Sequence, residues 1–285
     1  MTIEELIQHC DDLPSMPDVY LRVREVVEDP KASMLDLARA LSLDVAMTAR
    51  VLKLVNSPFY GLSERIETVS RAASILGMQP LHDLVLATAV ATTFSRISST
   101  TMDMKTFWRN SVERGLLARV IAQTYHVIDS ERLFVGGLLS DIGHLVMFQK
   151  IPDLAQQVLK QGKEERTTRT TLETKLLGFH AGEVGARLLE MWNLPLNYQD
   201  STRYHLDLNT APAITLELGI LHVAGVVEEC QLLEIPREHW MSYVSLEPAE
   251  LRELTDEDLD RFMAFVQEGL NLTLEMIAPA MDHAA

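Results

Sequence analysis

A chain of 285 residues in which 47% are hydrophobic is long enough to bury one large core or two small ones. Forty-one acidic side chains against twenty-five basic ones give a formal charge of −16, which argues against general binding to nucleic acid or to anionic lipid. No apolar run approaches the ~18 residues that a bilayer-spanning helix needs. The first residues lack the basic and apolar pattern of a leader, and two distant cysteines fit a reducing compartment, so we expect a cytoplasmic protein.

The first third of the chain reads as a series of short helices. Apolar residues recur at helical spacing, and alternating runs typical of strands are scarce, which predicts an all-α fold. Ser33 and Asp36 form a capping-box pattern, and Asp44 can cap a helix over residues 45–55. Gly77 suits the end of the helix that follows.

The polar stretch 95–103 interrupts the helical pattern and predicts a boundary between subdomains over residues 1–98 and 99–285. Apolar helical spacing resumes beyond it, at residues 104–126. In the segment 171–192 apolar residues recur every four positions, which predicts one continuous helix there.

A segment in the middle of the chain carries the most information about function. The apolar residues 136–139 are followed by Ser140, Asp141 and a glycine turn, ending in His144. This pattern resembles the Leu-Leu-His-Asp-Ile-Gly segment of the HD superfamily of metal-dependent phosphohydrolases. In those enzymes the adjacent His and Asp bind metal ions that polarise phosphoryl oxygen and generate hydroxide. Here Ser140, a poor ligand for a divalent transition metal, replaces the histidine.

Other segments extend the resemblance to the HD-related output domain (HDOD) family over about residues 10–210. The segments that match the order and spacing of the family's motifs are Leu13-Pro14-Ser15-Met16-Pro17, Asn56-Ser57-Pro58-Phe59-Tyr60, residues 72–77, Trp108, His180-Ala181-Gly182-Glu183-Val184-Gly185-Ala186 and Trp192-Asn193-Leu194-Pro195. The resemblance implies an N-terminal helical subdomain packed against a degenerate HD-like helical bundle. It also implies a role in bacterial signal transduction rather than in hydrolysis.

When the metal ligands of HD enzymes are matched to this sequence residue by residue, the set of ligands is incomplete. Asn110 stands at the place of the first HD histidine, and Ser140 precedes Asp141 at the place of the His-Asp pair. His180 and His205 remain near the places of further ligands. Three scattered ligands rarely make a catalytic metal centre. We therefore expect no enzyme activity, no catalytic residue and no cofactor, with Asp141, His180 and His205 as a vestigial metal site.

Each of these residues also has an ordinary structural interpretation. Asp141 precedes a glycine turn, so its carboxylate can cap the next helix instead of binding metal. His180 lies on the apolar stripe and can be a buried, hydrogen-bonded histidine. Where an ancestral active site would lie, a ligand cleft is predicted, lined by Asn110, Ser140, Asp141, His144, His180 and His205.

The expected function is recognition of signalling proteins supplied in trans, with a small ligand as a further possibility and an undetermined oligomeric state. A loop that combines a helix stop with two aromatic rings is the predicted interaction segment; it contains Asn56, Ser57, Phe59 and Tyr60. Packing within the protein would explain these residues equally well.

Two rival functions stay open. The first is a metal-dependent phosphohydrolase or phosphodiesterase that binds Mn, Fe or Mg in a rearranged site, through Asp141, His144, His180 and His205. The second is a DNA-binding regulator, because residues 37–52 have a helix-turn-helix rhythm. Only Arg50 and Lys53 would face phosphates there, and specific binding normally uses a larger basic surface, so we favour two packed helices.

Overall fold

The structure is a computed structural model that describes residues 1–8, 15–57, 60–62, 64–94, 99 and 101–277. Within these ranges the regular structure is helical and contains no strand, which confirms the all-α prediction. The α-helices are α1 Ile3–Gln8, α2 Asp18–Glu28, α3 Met34–Ser42, α4 Val45–Val55, α5 Val69–Leu76, α6 Met78–Phe94, α7 Met104–Thr124, α8 Ser130–Leu139, α9 Ile142–Lys150, α10 Pro152–Glu165, α11 Arg169–Leu177, α12 Ala181–Met191, α13 Leu196–Tyr204, α14 Leu216–Leu232 and α15 Asp256–Ile277. Short 3-10 helices cover Leu208–Thr210, Arg237–Ser242 and Ala249–Glu253.

The chain divides into two compact units. The larger unit comprises Met1–Leu13 and Ser98–Val266, and the smaller unit comprises Pro14–Ile97 and Gln267–Ala285. Each unit therefore contains two separate stretches of sequence. The predicted subdomain boundary after residue 98 falls at the edge of residues 95–98, which lie outside the described residues, and it stays a prediction.

The predicted capping residues shape the smaller unit. The hydroxyl of Ser33 accepts a hydrogen bond from the Asp36 backbone, and the Asp36 carboxylate accepts one from the Ser33 backbone at 2.9 Å, which completes the capping box. The Asp44 carboxylate accepts a bond from the Met47 backbone, so α4 begins at the expected residue. Gly77, with a φ of 94°, ends α5 as expected.

Helices α5 and α6 lie in the smaller unit, and α6 is buried along most of its length. No single helix in the described part of the chain combines the length and apolarity that crossing a bilayer requires. Together α5 and α6 reach that length and composition, but the chain bends by 120° between them. Leu84 and Leu86 on α6 are fully buried inside the protein. The apolar character of α6 is therefore that of a core helix.

The prediction of one continuous helix over residues 171–192 is wrong. Helix α11 ends at Leu177, and Gly178 adopts the left-handed conformation with a φ of 82°. The next helix, α12, begins only at Ala181. Glycine reaches this conformation without steric cost, so it terminates the helix even though apolar residues on both sides keep a four-residue spacing. His180 consequently precedes a helix instead of lying on the face of one.

Close backbone approaches in the larger unit bring the polar residues of several helices together. A Cβ atom on Gly137 of α8 would lie 2.8 Å from the Cα of Gly115 on α7, so only glycine permits this crossing. A Cβ on Gly143 of α9 would overlap the carbonyl oxygen of Ala181 at the start of α12. These approaches pack α7 closely against α8, and α9 closely against the start of α12.

Candidate functional site

Asp141 stands immediately before α9 and is 4% exposed. The predicted capping hydrogen bond to the helix backbone is not formed. Instead, one carboxylate oxygen lies 2.5 Å from Nδ1 of His144, one turn further along, and the other accepts a bond from the Arg169 guanidinium at 3.3 Å. The carboxylate is therefore engaged on both oxygens by charged partners.

His144 lies between two carboxylates. Its second nitrogen, Nε2, is 2.8 Å from the carboxylate of Glu173 on α11. The other Glu173 oxygen accepts a bond from the Ala181 backbone at 2.8 Å, which ties α11 to α12. Burial and Arg169 lower the pKa of His144, but Asp141 and Glu173 outweigh them and raise it to about 9. At neutral pH His144 is thus an imidazolium that donates from both nitrogens.

Arg169, the first residue of α11, is the cation at the centre of this arrangement. It is 1% exposed, and its side chain makes ion pairs with Glu229 at 2.6 Å, Glu228 at 3.3 Å and Asp141 at 3.3 Å. Its backbone nitrogen also donates to Glu229, at 2.6 Å. Burying a guanidinium is costly unless such partners surround it.

Arg114 on α7 supplies a second buried cation. Its guanidinium pairs with Glu228 at 3.0 Å and donates to the Gly137 carbonyl at 2.7 Å, and it lies 3.9 Å from Asp141. Asn110, one turn earlier on α7, donates to the other Glu228 oxygen at 3.2 Å. The residue at the place of the first HD histidine therefore contacts a glutamate.

We call these residues the charge cluster: four carboxylates, two guanidinium groups and one imidazolium, formed by Arg114, Asp141, His144, Arg169, Glu173, Glu228 and Glu229. Burial alone would raise the pKa of Asp141, but Arg169, His144 and Arg114 hold it well below its ordinary value. Burial raises the pKa of Glu228, and the negative charges of Asp141 and Glu229 reinforce that effect against the two arginines. The positive and negative charges of the charge cluster are thus close to balance without a bound metal ion.

His205 and His180 lie beside the charge cluster and are uncharged at neutral pH. Burial lowers the pKa of His205 to about 3, and its Nδ1 donates to the Thr202 carbonyl at 3.0 Å. Its Nε2 is buried and has no hydrogen-bond partner within the described ranges. Burial also lowers the pKa of His180, whose Nε2 is 3.7 Å from the carboxylate of Glu183.

Ser140, 1% exposed, donates its hydroxyl to the Gly136 carbonyl at 2.6 Å, within its own helix. Taken together, the residues of the predicted ligand cleft lie in one region of the larger unit. Most are nearly inaccessible, since Ser140, Asp141, His144, His180 and His205 are each at most 7% exposed.

Sequence reasoning missed the cations and most of the carboxylates of the charge cluster. It assigned no role to Arg114, Arg169, Glu173, Glu228 or Glu229. The signal was present in α14, where Glu228 and Glu229 follow residues 218–227, which are apolar except for His222, in a helix that is buried on all sides. Two adjacent carboxylates in such a helix require buried cationic partners.

The predicted interaction loop lies partly in the described residues, and Phe59 falls outside them. The Asn56 amide donates to the carbonyl oxygens of Leu52 and Ile66, both at 2.7 Å, and its oxygen accepts from the Ile66 backbone at 2.6 Å. This residue therefore holds the chain after α4 in place. Ser57 is 4% exposed, and its hydroxyl has no partner among the residues that the structure describes. Tyr60 is half-buried.

The charge cluster does not fit the metal centre that an HD site would require. The oxygens of Asp141 are engaged by Arg169 and His144, and both nitrogens of His144 face carboxylates. A divalent ion needs deprotonated ligands with free lone pairs. In the described part of the chain, no three His, Cys, Asp or Glu side chains converge in a way that could hold a metal ion.

The fold and the site define a class of protein. Its members are all-α, and at the position of the HD motif they hold a buried cluster in which arginines pair with carboxylates. The HDOD domain family model matches residues 13–208, which is more than half of the chain. The chain belongs to the HDOD domain family, as its motifs predicted. An uncharacterised protein of Treponema pallidum is 27% identical over 211 residues, which span 73% of this chain but only 40% of that relative.

Solved structures share the fold. A candidate phosphohydrolase of Shewanella amazonensis aligns with a TM-score of 0.70 at 24% identity over 97% of both chains. An HDOD domain protein of unknown function from Geobacter sulfurreducens has a TM-score of 0.69 at 24% identity, covering 99% of this chain and 96% of that one. A candidate signal transduction protein of Marinobacter aquaeolei has a TM-score of 0.62 at 21% identity, covering 99% of this chain and 62% of that one. These similarities establish the fold.

Proposed function

We propose that this protein is a non-catalytic signal-transduction module of bacterial cells that acts by binding other proteins in the cytoplasm. The observation that carries the proposal is the pairing of Arg169 and Arg114 with Asp141, Glu228 and Glu229 in the place of a metal centre. Two guanidinium groups supply the charge of one divalent ion. They neither lower the pKa of a water molecule nor leave an open coordination position, and metal-assisted hydrolysis needs both.

The environment of the remaining histidines supports the same proposal. His144 is charged and donates from both nitrogens, so it offers no lone pair to a metal. The Nε2 of His205 has no hydrogen-bond partner among the residues that the structure describes, but the residue as a whole is only 2% exposed. A rearranged metal site at these residues would require the ion pairs to Asp141 to break first.

Three observations weigh against the DNA-binding rival. Arg50, one of the two basic residues on α4, donates to the hydroxyl of Thr92 on α6 at 2.5 Å, within the smaller unit. At the start of the same helix Val45 is 81% exposed, so an apolar side chain stands where DNA-reading helices present polar ones. The net charge of −16 opposes approach to a polyanion.

The partner site is proposed at a cavity of about 780 Å³ in the smaller unit, beside the predicted interaction loop. Asn56 and Ser57 line it together with Lys53 and Arg65. Because Asn56 is already bonded to Leu52 and Ile66, we assign it a positioning role. The groups proposed to contact a partner are Lys53 and Arg65 in the cavity and Tyr60, which lies outside its lining but donates its backbone N–H to the carbonyl of Ser57 at 3.0 Å.

Phosphoester turnover tests the catalytic part of the proposal. The purified protein is incubated with p-nitrophenyl phosphate and bis-p-nitrophenyl phosphate in the presence of Mn²⁺, Fe²⁺ or Mg²⁺, in parallel with the variants Asp141→Asn and His180→Ala. We expect the same background rate in all three proteins. Metal-dependent turnover by the unaltered protein, lost in either variant, would contradict the proposal.

Capture from the native cell tests the partner site. The bait is the full chain, compared with Tyr60→Ala and with Tyr243→Ala, which changes a half-buried tyrosine of the larger unit as a matched control. We expect at least one protein to be retained by the unaltered chain and by Tyr243→Ala but lost from Tyr60→Ala. If all three baits capture the same set, the proposed site is wrong.

A DNA titration tests the second rival function, which is DNA binding. At low salt, where phosphate contacts are strongest, we expect micromolar protein to retain no duplex. Retention that is lost in a Lys53→Gln variant would instead support the helix-turn-helix function.

A further inference from the structure

The larger unit contains a partly enclosed cavity of about 700 Å³ that is separate from the charge cluster. It lies among α8, α13, the start of α14 and the turn after α7. Buried side chains of Leu133, Leu218 and Leu221 give it an apolar lining. Its volume is within the range of about 300–1,000 Å³ that small-molecule sites occupy.

Three tyrosines contribute to the wall of this cavity: Tyr125, Tyr198 and Tyr204. Tyrosine ring faces carry partial negative charge and attract ammonium and guanidinium groups by about 0.5–2 kcal/mol each. Tyr125 and Tyr204 are half-buried and can present a ring to a ligand in the cavity, whereas Tyr198 is 2% exposed.

The charged residues of the cavity are not balanced. Arg132, its one arginine, pairs with Asp129 at 3.0 Å, so that cation is already neutralised. Asp200 and Glu217 also line the cavity, and the part of the chain that the structure describes offers neither of them an ion pair or a hydrogen bond from a cation. Both are exposed, so their carboxylates are accessible from solvent.

Two further acids, Glu253 and Asp258, lie near Tyr125 at one end of the cavity, and Asp258 pairs with Arg261 at 2.6 Å. Burial raises the pKa of Tyr125, and the negative charges of Asp258 and Glu253 raise it further. Because the lining carboxylates of Asp200 and Glu217 have no cationic partner in the described residues, the cavity favours a cation over an anion of the same size.

We propose that this cavity binds a small organic cation: a protonated or quaternary amine on an aromatic or apolar body. The body would lie against the leucines, and the charged nitrogen would lie between the tyrosine rings and the carboxylates of Asp200 and Glu217. The site goes beyond the proposed partner-binding function and does not depend on it. It makes the larger unit a receptor for a ligand that the charge cluster does not contact.

Two matched pairs of probes test the proposal by NMR titration of the full chain. The first pair is 2-phenylethylamine and phenylacetate, which are similar in size and opposite in charge. The second pair is benzyltrimethylammonium and its neutral isostere neopentylbenzene. We expect each cation to bind with a dissociation constant on the order of 1 mM, with shift changes confined to residues of the cavity. The anion and the neutral compound should bind at least tenfold more weakly.

Variants locate the interaction. The double variant Asp200→Asn with Glu217→Gln should weaken binding of both cations about tenfold, because it removes both unpaired charges. The control Glu247→Gln with Glu250→Gln makes the same change in net charge at exposed residues outside the cavity and should leave affinity unchanged. Tyr204→Leu should weaken the binding of benzyltrimethylammonium. This cation cannot donate a hydrogen bond, so the loss would report its contact with the tyrosine ring.

Several results would overturn the site. These are equal binding of phenylacetate and 2-phenylethylamine, equal losses in the two double variants, or no binding of either cation at ten times the expected constant. Because every variant changes an exposed or half-buried residue, urea denaturation of each one distinguishes lost binding from lost folding. None of these results bears on phosphoester turnover, so this site and the proposed function fail independently.

Discussion

The larger unit holds charged side chains in two places, and the two are organised in opposite ways. In the charge cluster, Asp141, Glu228 and Glu229 each have a guanidinium partner within 3.3 Å, and all are buried. In the tyrosine-lined cavity, Asp200 and Glu217 are exposed and have no cationic partner in the described residues. Buried charges that satisfy one another hold helices together. Unsatisfied charges in a concave surface are free to recognise a ligand.

Removing the central cation should produce the largest effect on stability. The variant Arg169→Met leaves Asp141, Glu228 and Glu229 without their shared partner in a buried site. We expect the free energy of unfolding to fall by roughly 3–5 kcal/mol, measured by urea denaturation. Arg187→Met, which removes an exposed ion pair to Glu190, should change it by less than about 1 kcal/mol. Similar effects for the two variants would show that the charge cluster does not hold this unit together.

Stability should pass through a maximum near pH 6.5, because two buried histidines contribute in opposite directions. The folded pKa of His144 is raised from 6.5 to about 9, so its contribution is complete below pH 6.5 and is lost as the pH rises through 9. The folded pKa of His205 is lowered from 6.5 to about 3, so its contribution is complete above pH 6.5 and is lost as the pH falls towards 3. Each pKa unit corresponds to about 1.4 kcal/mol.

Urea denaturation at a series of pH values checks both limbs of this dependence. His144→Gln should remove the alkaline limb, and His205→Asn should reduce the acid limb, to which the lowered pKa values of His180 and Asp141 also contribute. An alkaline limb that persists unchanged in His144→Gln would show that another group causes it.

A smaller loss is expected from the smaller unit. Asn56→Ala removes three hydrogen bonds, to Leu52 and Ile66, and should cost about 2–3 kcal/mol in the free energy of unfolding. The neighbouring Ser57→Ala removes a buried hydroxyl that has no partner in the described ranges, and it should be neutral or slightly stabilising. If Ser57→Ala costs as much as Asn56→Ala, the hydroxyl has a partner after all.

The smallest effect on stability is expected at the tyrosine-lined cavity. Asp200→Asn with Glu217→Gln changes exposed groups, so the free energy of unfolding should shift by no more than about 0.5 kcal/mol. A loss above about 2 kcal/mol would place these carboxylates in the structural role that the charge cluster has.

The sequence predicted helices where local chemistry decides them. Asp44 caps α4, and Ser33 with Asp36 begins α3, because each cap is satisfied by residues within four positions. The break at Gly178 was missed because an apolar stripe at four-residue spacing is compatible both with one helix and with two short ones. A single left-handed glycine decided between them.

The site was predicted only in part, since its partners are distant in sequence. Asp141 and His144 were identified from a local motif. Arg169 and Glu228 are far from that motif along the chain. Arg169 reaches both Asp141 and Glu228, and Arg114 reaches Glu228, only through the packing of α7, α11 and α14. No local pattern indicates such pairing, although consecutive glutamates in an apolar helix show that buried cations must exist somewhere.

We propose that the side chains of Arg114 and Arg169 stand where HD enzymes bind a metal ion. Elemental analysis of the purified protein, dialysed without chelator after loading with Mn²⁺ or Fe²⁺, tests it most directly. The charge cluster predicts far less than one metal ion per chain, and the same value for a His180→Ala variant. Near-stoichiometric metal that disappears in His180→Ala would contradict the claim.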